Sequence, residues 1–440
     1  MRISIEGGTI VNEGRAFVGN VLIDHEQIVA VQPESLPLKA DQVVDARGCL
    51  VLPGIIDEHV HFREPGLTDK ADMVSESRAA AAGGVTTFFD MPNTIPQTTT
   101  LEALHDKYCR AEGRSMVNYA FFFGATIDNT SLFDRLDPHM LPGIKLFMGS
   151  STGNMLVDDA EALECIFKTT PIPLMTHCED TAIINRNMAA LKERYGDDPD
   201  VRFHPLVRSE EACLSSTMKA IELAAKYGTR LHLAHISTKA ELDCISAASL
   251  HTISAEATVG HLLFSCADYT TLGTRIKVNP AIKSLADREA LRQGLSDKRI
   301  STVATDHAPH LLPQKQGGCV RAASGMPMVQ FSLPAMLQLV DEGVLTIERL
   351  VELMSHNPAA IFGVRNRGFL RPGYQADVVI VRPDAPWTLA TDVIESKCRW
   401  SPLEGRQFRW KVEQTFCNGH LIYHHGVVGN DPAGKPVKFR

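Results

Sequence analysis

The sequence predicts an α/β protein, a (β/α)8 TIM-like barrel with a small β-sandwich domain built from both chain termini. Three observations predict it. Short apolar, β-branched runs alternate with longer segments of helical period through the middle of the chain, the rhythm of repeated βα units. Short alternating segments separated by Gly, Asn and charged turns occupy both ends. Histidine, aspartate and lysine fall at the ends of the predicted strands, the rim on which barrels carry their chemistry. At 440 residues the chain exceeds the roughly 250 that a barrel needs, which leaves room for one companion domain. The expected division is 1–52 and 365–440 for the two parts of the β-domain and 53–364 for the barrel.

In chain order, Ile3 to Val11, Phe17 to Asp24 and Gln27 to Val31 read as strands of the terminal sheet. Val51 to Ile56 is an apolar run that feeds into Asp57-Glu58-His59-Val60-His61-Phe62-Arg63, the opening barrel strand and its end. Val85 to Asp90, Asn118 to Phe123, Gly143 to Phe147, Ile172 to His177, Arg230 to His235, Thr252 to Ala257 and Thr302 to Asp306 supply the other seven strands. Asp72 to Ala82, Leu101 to Glu112, Ser209 to Tyr227 and Lys239 to Ala248 have helical period and lie between them. Ala376 to Val381, Lys411 to Asn418 and His420 to Tyr423 return to the strand texture, so one β-domain is assembled from both ends.

A formal charge of −8 and the lack of any basic block point away from nucleic acid, and no apolar run approaches the ~20 residues of a membrane span. Small solutes are the expected partners. Ten cysteines stand singly, without a C-x-x-C pair, and Met1 to Glu6 lack the apolar core of a signal peptide. The expected setting is a reducing cytoplasm with free thiols, Cys178 among them as buried filler.

In an extended segment, residues two apart project to one side, so His59 and His61 can reach one divalent ion while Val60 faces away. Arg63, again two residues on, leans towards the same cavity. An H-x-H alone is equally a pair of surface histidines; distant residues break the tie. The fifth strand ends in His177, the sixth in His235 and the eighth in Asp306, and the fourth carries Lys145. Four histidines, an aspartate and a lysine suffice for two adjacent ions if the lysine serves as an anion. A lysine buried in an apolar strand is disfavoured as ammonium, so its neutral amine can react with carbon dioxide to give a bridging carbamate. Two divalent ions, a carbamate, Asp306 and a hydroxide then leave about one net positive charge. His261, His307 and His356 receive no functional role: His307 faces away from Asp306, and His356 lies on a helix end.

Those motifs resemble the dihydroorotases of the amidohydrolase superfamily, in the branch with a lysine-bridged binuclear zinc centre. Asp57 to Arg63 matches the first signature, and Ala304-Thr305-Asp306-His307-Ala308-Pro309-His310 with Lys315 the second. Gly83 to Thr87 leading to Asp90-Met91-Pro92-Asn93-Thr94, and Lys277-Val278-Asn279-Pro280, agree as well. The resemblance implies two zinc ions per subunit, His59, His61 and Asp306 holding one, His177 and His235 the other, and carbamylated Lys145 both. It implies that Arg63, Asn93 and His310 hold the substrate carboxylate and that Asn279 sits near the ring. It departs from the usual pattern at Ala281-Ile282-Lys283 and at Gly260, which touches the substrate loops rather than the metals.

The implied reaction is the reversible cyclisation of N-carbamoyl-L-aspartate to (S)-dihydroorotate in pyrimidine biosynthesis, with a bridging hydroxide as nucleophile and Asp306 as general acid and base. The rivals are an allantoinase, a dihydropyrimidinase or hydantoinase, whose substrates lack the ring carboxylate, and a metal-free assembly subunit. Arg63 argues for a carboxylate-bearing small molecule. Leu311 to Gly325 is expected to form a mobile loop over the site, hinged at Gly317-Gly318 and Gly325. A homodimer or association with a pyrimidine-pathway enzyme is left open.

Overall fold

Apolar runs that bury both faces build the centre of the molecule. The computed structural model describes residues 1–33, 39–149, 155–248 and 250–440. Parallel strands Ile55–Val60, Val85–Asp90 and Asn118–Phe121, the last continued by Phe123–Gly124, run on through Ile144–Met148, Leu174–Cys178, Leu231–Leu233, Ile253–Thr258 and Thr302–Ala304. A parallel bridge between Val60 and His307 joins last to first and closes the barrel. Helices cover the outside and side chains fill the inside, so these strands read as continuous apolar runs rather than as alternation. Phe89, Phe122, Met175 and Ala234 form part of an inner core with Phe362 and Phe439.

Two strands stop short of their sequence-based ends. The runs Arg230 to His235 and Thr302 to Asp306 pair only over Leu231–Leu233 and Thr302–Ala304. His235 and Asp306 take left-handed φ values of 38° and 47°, which end the ladder and turn each side chain into the rim.

The covering helices begin where capping residues satisfy their first amides. Asp72 and Ser75 form a reciprocal capping box on Met73–Ala82. Ser209 caps Glu210–Tyr227, whose first turn carries Glu210 and Glu211 and whose end is Gly228 at φ 70°. Asp180, just past the fifth barrel strand, caps Thr181–Tyr195.

The chain ends meet in one nine-stranded sheet. Leu50–Pro53 pairs with Val378–Arg382, so the N-terminal strands continue hydrogen-bonded into Lys411–Cys417, His420–His424 and Val427–Val428. Strand alternation divides the burial. Val378 and Ile380 pack with Ile3, Ile5, Ile10 and Val21 in the sheet's own core, whereas Val379 and Val381 join the barrel-side core. Trp400 reaches the site itself, donating from Nε1 to the His310 carbonyl at 2.7 Å.

Candidate metal centre and binding pocket

The strand ends bring together the residues that sequence reasoning singled out. Asp306 Oδ1 lies 3.4 Å from His59 Nε2 and 3.0 Å from His61 Nε2. Opposite them, His177 Nδ1 and His235 Nε2 face each other at 2.8 Å. Three of these imidazoles are held from behind by an acceptor. His59 Nδ1 bonds Glu256 Oε1 at 2.8 Å, His61 Nδ1 bonds Asn93 Oδ1 at 2.8 Å, and His177 Nε2 bonds Glu179 Oε2 at 2.9 Å. Each bond places the ring proton on the outer nitrogen and turns the other lone pair inward, the arrangement of metal-ligating histidines. Burial, with neighbouring positive groups, keeps the His235 ring well below its ordinary pKa, and so neutral.

The carboxylates around this cluster stay ionised. Burial pushes the Glu179 carboxyl up, but Arg208 and His177 outweigh it and take it down to about 2. Burial likewise raises Asp306 and Glu256, and the nearby histidines, His59 foremost, bring both below the ordinary range. Lys145 is the exception in kind. Its Nζ is fully buried without a hydrogen-bond partner among the described residues, and burial lowers its pKa to about 8. A buried amine that cannot be satisfied as ammonium fits a lysine that carries a carbamate. The donor set of imidazoles, one aspartate and that lysine fits divalent metal ions. The geometric grouping of His59, His61 and Asp306 supports metal binding on its own.

The rim opens into a cavity of about 830 Å³, lined by His59, His61, His177, His235 and Asp306 and by Arg63, Asn93, Asn279 and His310. Arg63, at φ 69°, is buried; its Nε donates to the Pro309 carbonyl at 3.1 Å and its Nη2 to His310 Nε2 at 3.1 Å. No carboxylate pairs with it among the described residues. The Ser324 carbonyl lies 3.0 Å from the same His310 nitrogen, while His310 Nδ1 is buried and unpartnered. Burial, then Arg63, lowers His310 to about 2, so the ring is a neutral donor or acceptor. Asn93 has a second task beyond the one expected of it, since its carbonyl oxygen is occupied by His61. Asn279 lies by His204, whose Nε2 is 3.2 Å from Asn279 Oδ1.

The three histidines without an assigned role are structural. His307 turns away from the site to Glu76 at 2.8 Å, although the strand does not extend to it. His356 bonds the Glu13 amide and the Gly368 carbonyl, and His261 the Thr258 hydroxyl and the Pro280 carbonyl. Cys178 is buried against Thr176. Sequence reasoning missed Glu179 and Glu256. A glutamate alone in the strand Ile253–Thr258, and one two residues past His177, were the signals that could have found them.

The loop Leu311 to Gly325 does lie over the cavity, with Cys319 to Gly325 in its lining. It is anchored rather than free. Lys315 Nζ donates to the carbonyls of Lys277, Ala323 and Gly325 at 3.0, 2.7 and 2.7 Å. Lys277 Nζ donates in turn to those of Cys319 and Ala322, and Asp198 takes the amides of Gly318, Val320 and Arg321.

Comparison with known proteins adds kinship to this geometry. The profile of the amidohydrolase family matches residues 50–422. The chain is 37% identical over 401 residues to a dihydroorotase of Halobacterium salinarum, covering 90% of this chain and 91% of that protein. A dihydroorotase of Lactobacillus johnsonii is 30% identical over 436 residues, 97% of this chain and 100% of that one. Among solved structures, the L-hydantoinase (dihydropyrimidinase) of Arthrobacter aurescens superposes with a TM-score of 0.93 at 26% identity, covering 99% of each chain. The dihydropyrimidinase of Brevibacillus agri gives a TM-score of 0.90 at 22% identity over 99% of this chain and 98% of that one, a likeness of fold alone.

Proposed function

The chain belongs to the amidohydrolase family, and from that membership we propose that it is a dihydroorotase, closing N-carbamoyl-L-aspartate to (S)-dihydroorotate and reopening it. The observation that carries this reading is Arg63. It is a buried guanidinium in the cavity, two residues from His61, bonded to a carbonyl and an imidazole and to no carboxylate of the described chain. Buried charges are ordinarily paired, so the cavity calls for an anionic ligand. Dihydroorotate brings a ring carboxylate that the fork of Arg63 can take through two charge-assisted bonds, with His310 Nδ1 and the Asn93 amide as further donors.

His59, His61 and Asp306 would hold one zinc ion, His177 and His235 a second, and carbamylated Lys145 both. When bound, such a pair supplies an activated water and polarises the scissile carbonyl. Asp306 Oδ accepts the proton that the attacking water gives up and delivers it to the departing ring nitrogen. In the synthetic direction the same oxygen takes the proton from the ureido nitrogen. Asn279 and the loop residues Cys319 to Gly325 line the cavity, where Asn279 would stand near the ring.

The competing reading is a hydantoinase or dihydropyrimidinase on the same scaffold, the activity for which the superposed structures are named. Those rings offer Arg63 no carboxylate. The substitution Arg63→Met separates the two. It is expected to keep the metal content and to lose a factor of roughly thirty or more in efficiency on dihydroorotate, since breaking a desolvated ion pair costs about 2–5 kcal/mol. Whatever slow turnover dihydrouracil shows should barely change. Equal losses on both rings would mean that Arg63 holds the site together and does not read the carboxylate.

A further inference from the structure

Deeper in the barrel than the rim, a second group of side chains converges. Glu58, His232 and Glu256 each present a ligand atom, all within 4.8 Å of one another, and their exposures are 0%, 1% and 0%. They come from the first, sixth and seventh strands, and Thr302 of the eighth is buried with them. Both Glu58 carboxyl oxygens, Glu256 Oε2, His232 Nε2 and the Thr302 hydroxyl lack a hydrogen-bond partner among the described residues. Buried polar atoms are nearly always satisfied, so five together require an explanation.

The bonds these groups do make fix what faces the gap. Ser254 Oγ donates to the Leu231 carbonyl at 3.4 Å and therefore accepts from His232 Nδ1 at 2.8 Å. The ring proton is then on Nδ1, and His232 Nε2 turns a lone pair towards Glu256 Oε2, 3.6 Å away. Glu256 Oε1 is already taken by His59 Nδ1 and the His235 amide. Two lone pairs facing each other repel unless a cation lies between them. Their separation is too long for a hydrogen bond, yet close to the roughly 3.3 Å expected between two ligands of one ion at about 2.0–2.1 Å.

We propose that Glu58, His232 and Glu256, with the Thr302 hydroxyl as a fourth donor, form a buried site for one divalent cation, distinct from the rim centre. Imidazole and carboxylate donors suit zinc or manganese. Two carboxylates neutralise the ion's charge, which removes the cost of holding two like charges in a dry core. The bound ion ties together four strands of the barrel and fixes Glu256, the acceptor that orients His59. Its role is structural and positioning, because Glu58 and His232 do not line the cavity.

The test uses the intact chain and counts metal by plasma mass spectrometry before and after dialysis against a chelator. The rim ions face the open cavity and are expected to leave; about one equivalent per chain should resist, because its ligands are sealed from solvent. In Glu58→Leu that resistant equivalent should be gone and the melting temperature lowered, while zinc added back still fills the chelatable rim positions. Glu58→Gln, of the same shape, serves if the leucine variant does not fold. Anomalous scattering at the zinc or manganese edge should place a peak between Glu58, His232 and Glu256. A wild-type chain left with no metal after dialysis overturns the proposal in favour of a proton shared between the carboxylates, and a resistant equivalent that survives in the Glu58 variants overturns it by placing that ion at the rim. Failure of the rim reading would appear separately, in the chelatable metal and in turnover.

Discussion

Lys145 carries the account at the scale of single residues. Burial lowers its amine to about 8, so the neutral fraction able to react with carbon dioxide grows as pH rises through that value and shrinks below it. At about pH 6.5 only roughly one amine in thirty is neutral. Metal-stripped protein held at one fixed concentration of dissolved carbon dioxide should therefore regain its carbamate, read by native mass spectrometry, roughly twentyfold faster at about pH 8.5 than at about pH 6.5. A rate that keeps rising about tenfold per pH unit well above about pH 8, instead of levelling off, would contradict the lowered pKa. Lys145→Ala should lose both the metal and turnover, and short-chain carboxylic acids should restore part of each; full zinc occupancy with normal turnover would remove the bridging role. The lysine was legible in the sequence because it interrupts an apolar run that ends beside other polar strand ends. Its lack of a partner was not legible, nor was which histidine Glu179 or Glu256 would orient, because an orienting bond depends on which side chain three-dimensional packing places at the far ring nitrogen.

Among the elements, the segment Leu311 to Gly325 departs most from its sequence. Gly317 and Gly318 read as hinges, yet a Cβ at Gly318 would meet the Pro199 carbonyl oxygen at 2.1 Å, and one at Gly325 the Ala308 carbonyl oxygen at 2.5 Å. These glycines allow close approach of backbone to backbone rather than motion. Composition cannot distinguish the two uses, and Lys315, a cation in a loop, reads as solvated until its three carbonyl partners are seen. Lys315→Met should release this wall. Amide hydrogen exchange in 316–325 should accelerate by about tenfold or more and KM for dihydroorotate should rise, with metal content unchanged. Unaltered exchange would show that Asp198 and Lys277 suffice to hold the loop. The strands were read more securely, and even Thr252 to Ala257, where only Thr252 and Ile253 are β-branched, is matched by the strand Ile253–Thr258. The errors fall at His235 and Asp306, where left-handed backbone turns a strand end into a site.

Across the whole molecule, the barrel and the sheet that draws on both termini were legible from periodicity, because burial on both faces and burial on one leave different patterns. The last residues were not. Gly434-Lys435-Pro436-Val437-Lys438-Phe439-Arg440 falls in the terminal β-domain by the sequence division, yet Pro436 bridges Tyr119, and Val437 and Phe439 are buried against Phe89 and Phe362. Phe439→Ala should cost about 3–5 kcal/mol of stability, as large-to-small core substitutions do, and leave efficiency on dihydroorotate within about twofold, since Phe439 does not line the cavity. A variant of unchanged melting temperature would show that the tail does not secure the barrel. None of the described helices is long and apolar enough to cross a membrane. Arg63 and its cavity fit a ring bearing a carboxylate. Purified, zinc-loaded protein should be assayed side by side with carbamoyl-aspartate, dihydroorotate, dihydrouracil, hydantoin and allantoin. Efficient turnover of the first two, in both directions, and at most slow turnover of the rest is expected. Higher efficiency on any carboxylate-free ring than on dihydroorotate would contradict it.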